Sequence, residues 1–244
     1  MTRMNVLAHL AQWDRAALLA INGLAHRSPI LDKTVVALAP FDCLAGGILF
    51  LFVWWLWFQP AAPEAQLRNR VQAFRVVIAV ALAVVLARLL QTSLPPRLRP
   101  IHDASLPFVP PYGTTVNALE HYSSFPSDHA ITLFTVVAAI WMRSRLAGVL
   151  AALWAFILAG MTRIYIGYHY PGDVLAGAVI GIAIMAVLSN VPVPRGWTAW
   201  LFNWEQRHPQ TFYGAAVLVT YQLVTMGGEI RAFASSLTHI GTIP

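Results

Sequence analysis

The sequence predicts an all-α fold, a polytopic membrane helical bundle of about six spans with an amino-terminal interfacial helix. Three observations predict it. The 244 residues are 58% hydrophobic and only 11% charged, whereas a soluble domain carries about a quarter charged residues. Apolar stretches approaching the roughly 20 residues that a helix needs to cross the hydrocarbon recur along the chain. The arginines gather between those stretches, so the net charge of +6 reads as the cationic loops of a membrane protein and not as a nucleic-acid surface. One cysteine, Cys43, excludes an internal disulfide and a thiolate metal cage.

The elements follow in order. Val6–His26 carries apolar residues at helical spacing with Gln12, Asp14 and Arg15 among them, and reads as an interfacial amphipathic helix within an amino-terminal segment 1–33. Asp14 and Arg15 interrupt the apolar run, so no cleavable signal peptide is expected. Five segments read as spans: Val35–Phe58, Phe74–Leu94, His129–Met142, Leu146–Thr162 and Val174–Val191. The third and fourth are short and borrow flanking residues. A weaker segment, Phe212–Met226, is compatible with a sixth span or a shallow interfacial helix, which puts an extra span at 212–227. No repeat, low-complexity tract or second domain is visible, so residues 1–244 form one domain with a catalytic bundle at 35–191.

Orientation follows from the loops. Arg68, Arg70 and Arg75, then Arg143 and Arg145, then Arg195 and Arg207 fall on one side, which makes that side cytoplasmic. Arg3, Arg15, Arg27 and Lys33 fall opposite. Were Val6–His26 to span, only the amino terminus would change sides. Trp54, Trp55 and Trp57 anchor the cytoplasmic end of the first span.

Three polar clusters remain: Arg97-Leu98-Arg99-Pro100, Ser124-Phe125-Pro126-Ser127-Asp128-His129, and the run from Arg163 to Asp173. Alternating spans bring all three to the non-cytoplasmic surface. Guanidinium forks match phosphate oxygens, so Arg97, Arg99 and Arg163 can clamp a phosphoryl group. Pro126 to His129 has the form of a helix start, where free N–H groups and the helix dipole favour an anion. That places Ser127 and Asp128 in the phosphate cluster, with the Asp128 carboxylate required to turn away from phosphate, toward an arginine. His129 can protonate a leaving oxygen, and His169 can attack phosphorus with Asp173 on its other ring nitrogen. Either histidine alone is better read as an interfacial residue; together with Arg163 and Asp173 they favour chemistry. Arg97 is equally compatible with snorkelling to headgroups. Tyr165, Tyr168 and Tyr170 read as interface anchors, one of them able to line a lipid entrance, and Glu120 and His121 as loop residues.

Two charges fall inside spans, Asp42 and Arg88. An unpaired charge there costs several kcal/mol, so they are expected to pair or to face the active-site cavity as accessory residues. No carboxylate-rich cage is visible, so no metal and no other cofactor is expected.

These residues resemble the motifs of the type 2 phosphatidic acid phosphatase superfamily. That family shows Lys-x6-Arg-Pro, Pro-Ser-Gly-His and Ser-Arg-x5-His-x3-Asp. Arg99-Pro100, Pro126-Ser127-Asp128-His129 and Thr162-Arg163…His169…Asp173 match them over roughly Arg88 to Asp173. The resemblance implies His169 as nucleophile, Asp173 as its partner, His129 as general acid, and Arg99, Arg163 and Ser127 as phosphate binders. Three positions depart: Thr92 stands where the family has lysine, Asp128 where it has glycine, and Thr162 where it has serine. Arg88 is placed to supply the charge missing at Thr92. Arg-x-Arg-Pro with Pro-Ser-Asp-His, and the stretch Ala20 to His26, are similar to the bacterial undecaprenyl diphosphate phosphatases of the bacitracin-resistance type. The implied activity is hydrolysis of a lipid-linked phosphate or diphosphate through a phosphohistidine, in a bacterial plasma membrane. Alternatives are a phosphatase for phosphatidylglycerol phosphate, phosphatidic acid or lipid A, or a non-catalytic binder or transporter. A soluble haloperoxidase does not fit the composition.

Overall fold

A computed structural model describes residues 3–226 apart from 117, 118, 120 and 121, and the expectations for Glu120, His121 and residue 227 lie outside them. Among the described residues the regular structure is entirely helical. The helices are α1 (Arg3–Asn22), α2 (Pro29–Leu38), α3 (Ile48–Phe58), α4 (Pro63–Ser93), α5 (Asp128–Arg143), α6 (Arg145–Ala155), α7 (Thr162–Tyr165), α8 (Pro171–Ser189), α9 (Arg195–Arg207) and α10 (Pro209–Val224). A wide π-type turn, Phe156–Met161, joins α6 to α7, so Arg145–Tyr165 runs as 21 residues.

Among the described residues three stretches are long and apolar enough to cross a membrane: α4, Arg145–Tyr165 and α8. A fourth arises if α2 and the stretch Cys43–Phe58 count as one span bent by 66°. The expected six exceed this for two reasons. The helices α5 and α10 have 16 residues each, about 24 Å, and need flanking residues to match the roughly 30 Å hydrocarbon. The stretch expected as one continuous span, Val35–Phe58, is broken at Ala39–Asp42, where Pro40 has no N–H to donate.

Helix α5 is the centre of the bundle, buried along most of its length from Ala130 to Ile140. Its neighbours are α8, α6 and α4. Ser127 caps its start, its Oγ accepting from the Ala130 N–H, and Ser144 caps the start of α6. Between α5 and α8 the backbones touch because Gly177 and Gly181, four apart on one face, present no side chain. A Cβ on Gly177 would lie 2.6 Å from the Ser127 carbonyl, and one on Gly181 2.9 Å from the Thr135 nitrogen. Thr135 Oγ donates across the contact to the Gly181 carbonyl at 3.2 Å. This contact sets the distance between the helix that carries His129 and the helix that carries Asp173. Gly181→Ala is therefore expected to cost about 1–3 kcal/mol by overpacking and to lower activity with it. A thermal melt in detergent beside a turnover assay checks this, and an unchanged melt would refute the tight contact.

The amino-terminal helix corrects the amphipathic reading. Asp14 and Asn22 are 5% exposed and Leu18 is fully buried, whereas Leu10 and Trp13 are more than half exposed. Asp14 and Asn22 turn inward, to partners on the bundle, whereas Gln12 and Arg15 stay exposed. Helix α9 fell in a stretch expected to be a loop. It starts after Pro194, and Glu205 on it is buried, accepting from Arg70 at 2.8 Å and from the Tyr213 hydroxyl.

Candidate active site

The carboxyl end of α4, the amino ends of α5 and α8, the end of α7 and the break after α2 meet at one end of the bundle. Beside α8, side chains of the other elements and of the loop before α5 line a cavity of about 730 Å3. Arg88, Arg99, Arg163, Asp42, Asp128, His129 and His169 line it, with Val36, Ala39, Pro40, Leu119 and Ile166 supplying apolar wall.

Each charged group is held by a defined partner. His169 follows the left-handed Gly167 (φ 80°), which ends α7 and turns the chain back; the Tyr168 N–H then donates to the Arg163 carbonyl at 2.9 Å. The His169 ring is 2% exposed. Its Nδ1 lies 2.8 Å from the Ser124 carbonyl. A carbonyl can only accept, so Nδ1 carries the proton and Nε2 keeps its lone pair. Burial pushes the His169 pKa below the ordinary histidine value, and the nearby Asp173 carboxylate offsets this only in part.

His129, in the first turn of α5, sits between two carboxylates. Its Nδ1 is 2.9 Å from Asp128 Oδ1 and its Nε2 3.0 Å from Asp42 Oδ1. Each ring nitrogen thus faces a carboxylate oxygen within hydrogen-bond reach. Asp42, at the break after α2, shares the same oxygen with Arg163 Nη2 at 3.1 Å. Arg163 is 4% exposed and also donates to the Leu158 carbonyl inside the π-type turn. Such turns recur at functional sites because they re-aim the residues that follow. Among the described residues Arg99 has no carboxylate partner: its guanidinium donates to the carbonyls of Tyr122, Tyr168 and Ser123. Two of its five N–H groups are left over. Arg88 donates to Asp128 Oδ2 and to Gln91, each at 2.8 Å.

The expected site residues separate into two groups. His129, His169, Asp128, Arg99 and Arg163 come together on the cavity wall, and Asp42 and Arg88 join them, paired with Asp128, His129 and Arg163 and not with each other. Arg97, Ser127 and Asp173 do not line the cavity. Arg97, expected on phosphate, has its guanidinium taken by Asp173 at 2.5 Å and Asp14 at 2.6 Å and lies over the Tyr170 ring. Ser127, expected to offer its backbone N–H, already donates it to the Asp173 carbonyl at 3.2 Å. Asp173 is 3.8 Å from His169 Nδ1, which the Ser124 carbonyl holds instead. Thr92 is exposed and hydrogen-bonds its own helix. Tyr165 and Tyr170 are buried and donate to Asp32 and Asp103, so neither is an interface anchor; Tyr168 lines the cavity. Sequence reasoning missed the Ser124 carbonyl, a backbone atom that no residue pattern encodes, and the inward Asp14, whose signal was an acid within an apolar helix face.

Helices that cross a membrane and a recessed, arginine-lined pocket carrying two histidines define an integral membrane protein built to hold an anionic headgroup. The chain belongs to the PAP2 superfamily, whose family model matches residues 72–197, and it is a lipid phosphatase of that superfamily. It is 29% identical to the undecaprenyl-diphosphatase BcrC of Bacillus subtilis, across 68% of this chain and 77% of the relative. It is 34% identical to the bacitracin transport permease protein BcrC of Bacillus licheniformis, across 66% of this chain and 72% of the relative. Among solved structures it is similar to Aquifex aeolicus LpxE, with a TM-score of 0.54 and 26% identity over 72% of this chain and 94% of that one.

Proposed function

We propose that the protein hydrolyses undecaprenyl diphosphate to undecaprenyl phosphate, with His169 as the nucleophile. The observation that carries this reading is the Ser124 carbonyl on His169 Nδ1, which leaves a lone pair on Nε2 in a wall shared with three arginines. Nε2 attacks the terminal phosphorus, the bond from phosphorus to the bridging oxygen breaks, and lipid monophosphate leaves. His129, in its protonated form, gives a proton to the leaving oxygen. Water then attacks the phosphohistidine, with His129 taking its proton, and inorganic phosphate is released.

Arg99, Arg163 and Arg88 hold the equatorial oxygens, where charge spreads in the transition state. Asp173 acts at a distance, on the orientation and charge of His169. Arg97 and Ser127 support the wall from behind. The apolar rim suits a polyprenyl chain entering from the bilayer. In this reading the whole chain is one domain, and the cavity opens to the exterior face of a bacterial plasma membrane, opposite the arginine-rich loops.

Phosphate release by the purified protein from undecaprenyl diphosphate, compared with phosphatidylglycerol phosphate, phosphatidic acid and lipid A, tests the substrate. A preference of tenfold or more in kcat/KM for any of the other three would overturn the assignment. The depressed His169 pKa also sets the acid limb of the pH profile. Attack needs the neutral ring, so kcat/KM falls as pH drops through the His169 pKa, which lies under the ordinary value of about 6.5. An acid limb centred above that value would contradict a buried nucleophile.

A further inference from the structure

We propose that Asp14, on the amino-terminal helix, is a positioning residue for catalysis that acts through Arg97 on Asp173 and so on His169. The inference rests on the reading of His169 as nucleophile and extends it to a residue outside the family motifs.

The contacts form one chain. Asp14 Oδ1 accepts the Gly172 N–H at 2.6 Å, and Asp14 Oδ2 accepts from Arg97 Nη2 at 2.6 Å. Arg97 Nη1 donates to Asp173 Oδ1 at 2.5 Å. Asp173 Oδ2 accepts the Tyr170 N–H at 2.9 Å and stands 3.8 Å from His169 Nδ1. Asp14 is 5% exposed and Asp173 fully buried, so neither carboxylate is satisfied by water.

The charges explain why all three residues are needed. A buried carboxylate without a partner is costly, and Arg97 supplies the cation that pairs with Asp173 beside the nucleophile. One fork on one acid would leave Arg97 free to swivel about its long side chain. Asp14 fixes the second prong, and the Tyr170 ring, 3.9 Å from the guanidinium carbon, fixes its plane. Leu18, one turn along α1, packs with Ile164, Tyr170 and Val174 and holds Asp14 at this depth. An ion pair serving only to dock α1 would not need to end on the acid beside His169.

The test is turnover of a lipid phosphate by the full-length protein in detergent, for wild type, Asp14→Asn, Arg97→Ala and the double variant, each with a thermal melt. A relay through Arg97 predicts that Asp14→Asn lowers kcat roughly tenfold with KM changed less than about twofold. In the Arg97→Ala background the same substitution then has no further effect. A wild-type kcat in Asp14→Asn, or a loss that multiplies in full onto Arg97→Ala, overturns the relay. Should Asp14→Asn fail to fold, Gly172→Ala takes its place. Its methyl would lie 3.0 Å from the Asp14 carboxylate and displace it without removing charge. A kcat loss there that vanishes with Arg97→Ala supports the relay, and full kcat overturns it. Wild-type protein inactive on every lipid phosphate would instead remove the proposed function, and the relay would fall with it.

Discussion

His169→Ala is expected to abolish turnover, lowering kcat on the order of 10^4-fold or more, while the protein keeps its fold. The size follows from covalent catalysis: without Nε2 there is no nucleophile to split hydrolysis into two easier steps. Water entering the space left by the ring is a far weaker nucleophile than the imidazole it replaces. The ring is packed at the surface of the cavity, and its removal leaves only the Ser124 carbonyl without its donor, so a melt close to wild type should accompany the loss. A variant retaining a tenth of the wild-type rate would show that His169 is not the attacking group. The companion variant His169→Asn controls for the cavity, since its amide can still donate to Ser124.

Arg163→Lys is the second large effect. The Arg163 guanidinium reaches the Leu158 carbonyl with one nitrogen and Asp42 with another, and the proposed function assigns its remaining N–H groups to the substrate phosphate. A lysine ammonium is a compact point charge that cannot make these contacts from one position. The charge is kept, so the bundle should still assemble, but the planar fork that matches phosphate oxygens is lost. A fall in kcat/KM of about 10^2–10^3-fold is expected, the range seen when one preorganised donor is removed from a developing charge. Steady-state kinetics on the detergent-solubilised protein measures it. A loss of less than fivefold would place Arg163 in the scaffold around Asp42 and not on the substrate.

The sequence carried the motif residues well and their partners poorly, for a physical reason. Spacing along a chain determines which residues share a helix end, so alternating spans are enough to bring residues 99, 129, 163 and 169 to one surface. Spacing does not say which of two acids a guanidinium will face. Arg97 and Arg99 are two residues apart, yet Arg99 lines the cavity while Arg97 turns to Asp14 and Asp173. The same limit hid the role of Asp42. An apolar run from Val35 to Phe58 reads as one span by hydropathy, but Pro40 followed by Asp42 marks a break, and the break delivers the carboxylate to His129. Thr92 and Asp128, the departures from the family pattern, are related through Arg88. The helix position expected to carry the cation is exposed, and Arg88, one turn earlier, donates to the acid that replaces glycine. In α9, Trp197, Leu201 and Trp204 fall at helical spacing after Pro194, but the polar residues between them disguised the period.

The covalent step is open to direct observation. Full-length protein mixed with a substrate radiolabelled in its terminal phosphate, then quenched in alkali, where a phosphoramidate survives, should carry label on the peptide that contains His169. The label should vanish on acid treatment and be absent from His169→Ala. Active wild-type protein that never acquires label during turnover, or label that persists in His169→Ala, would contradict the account.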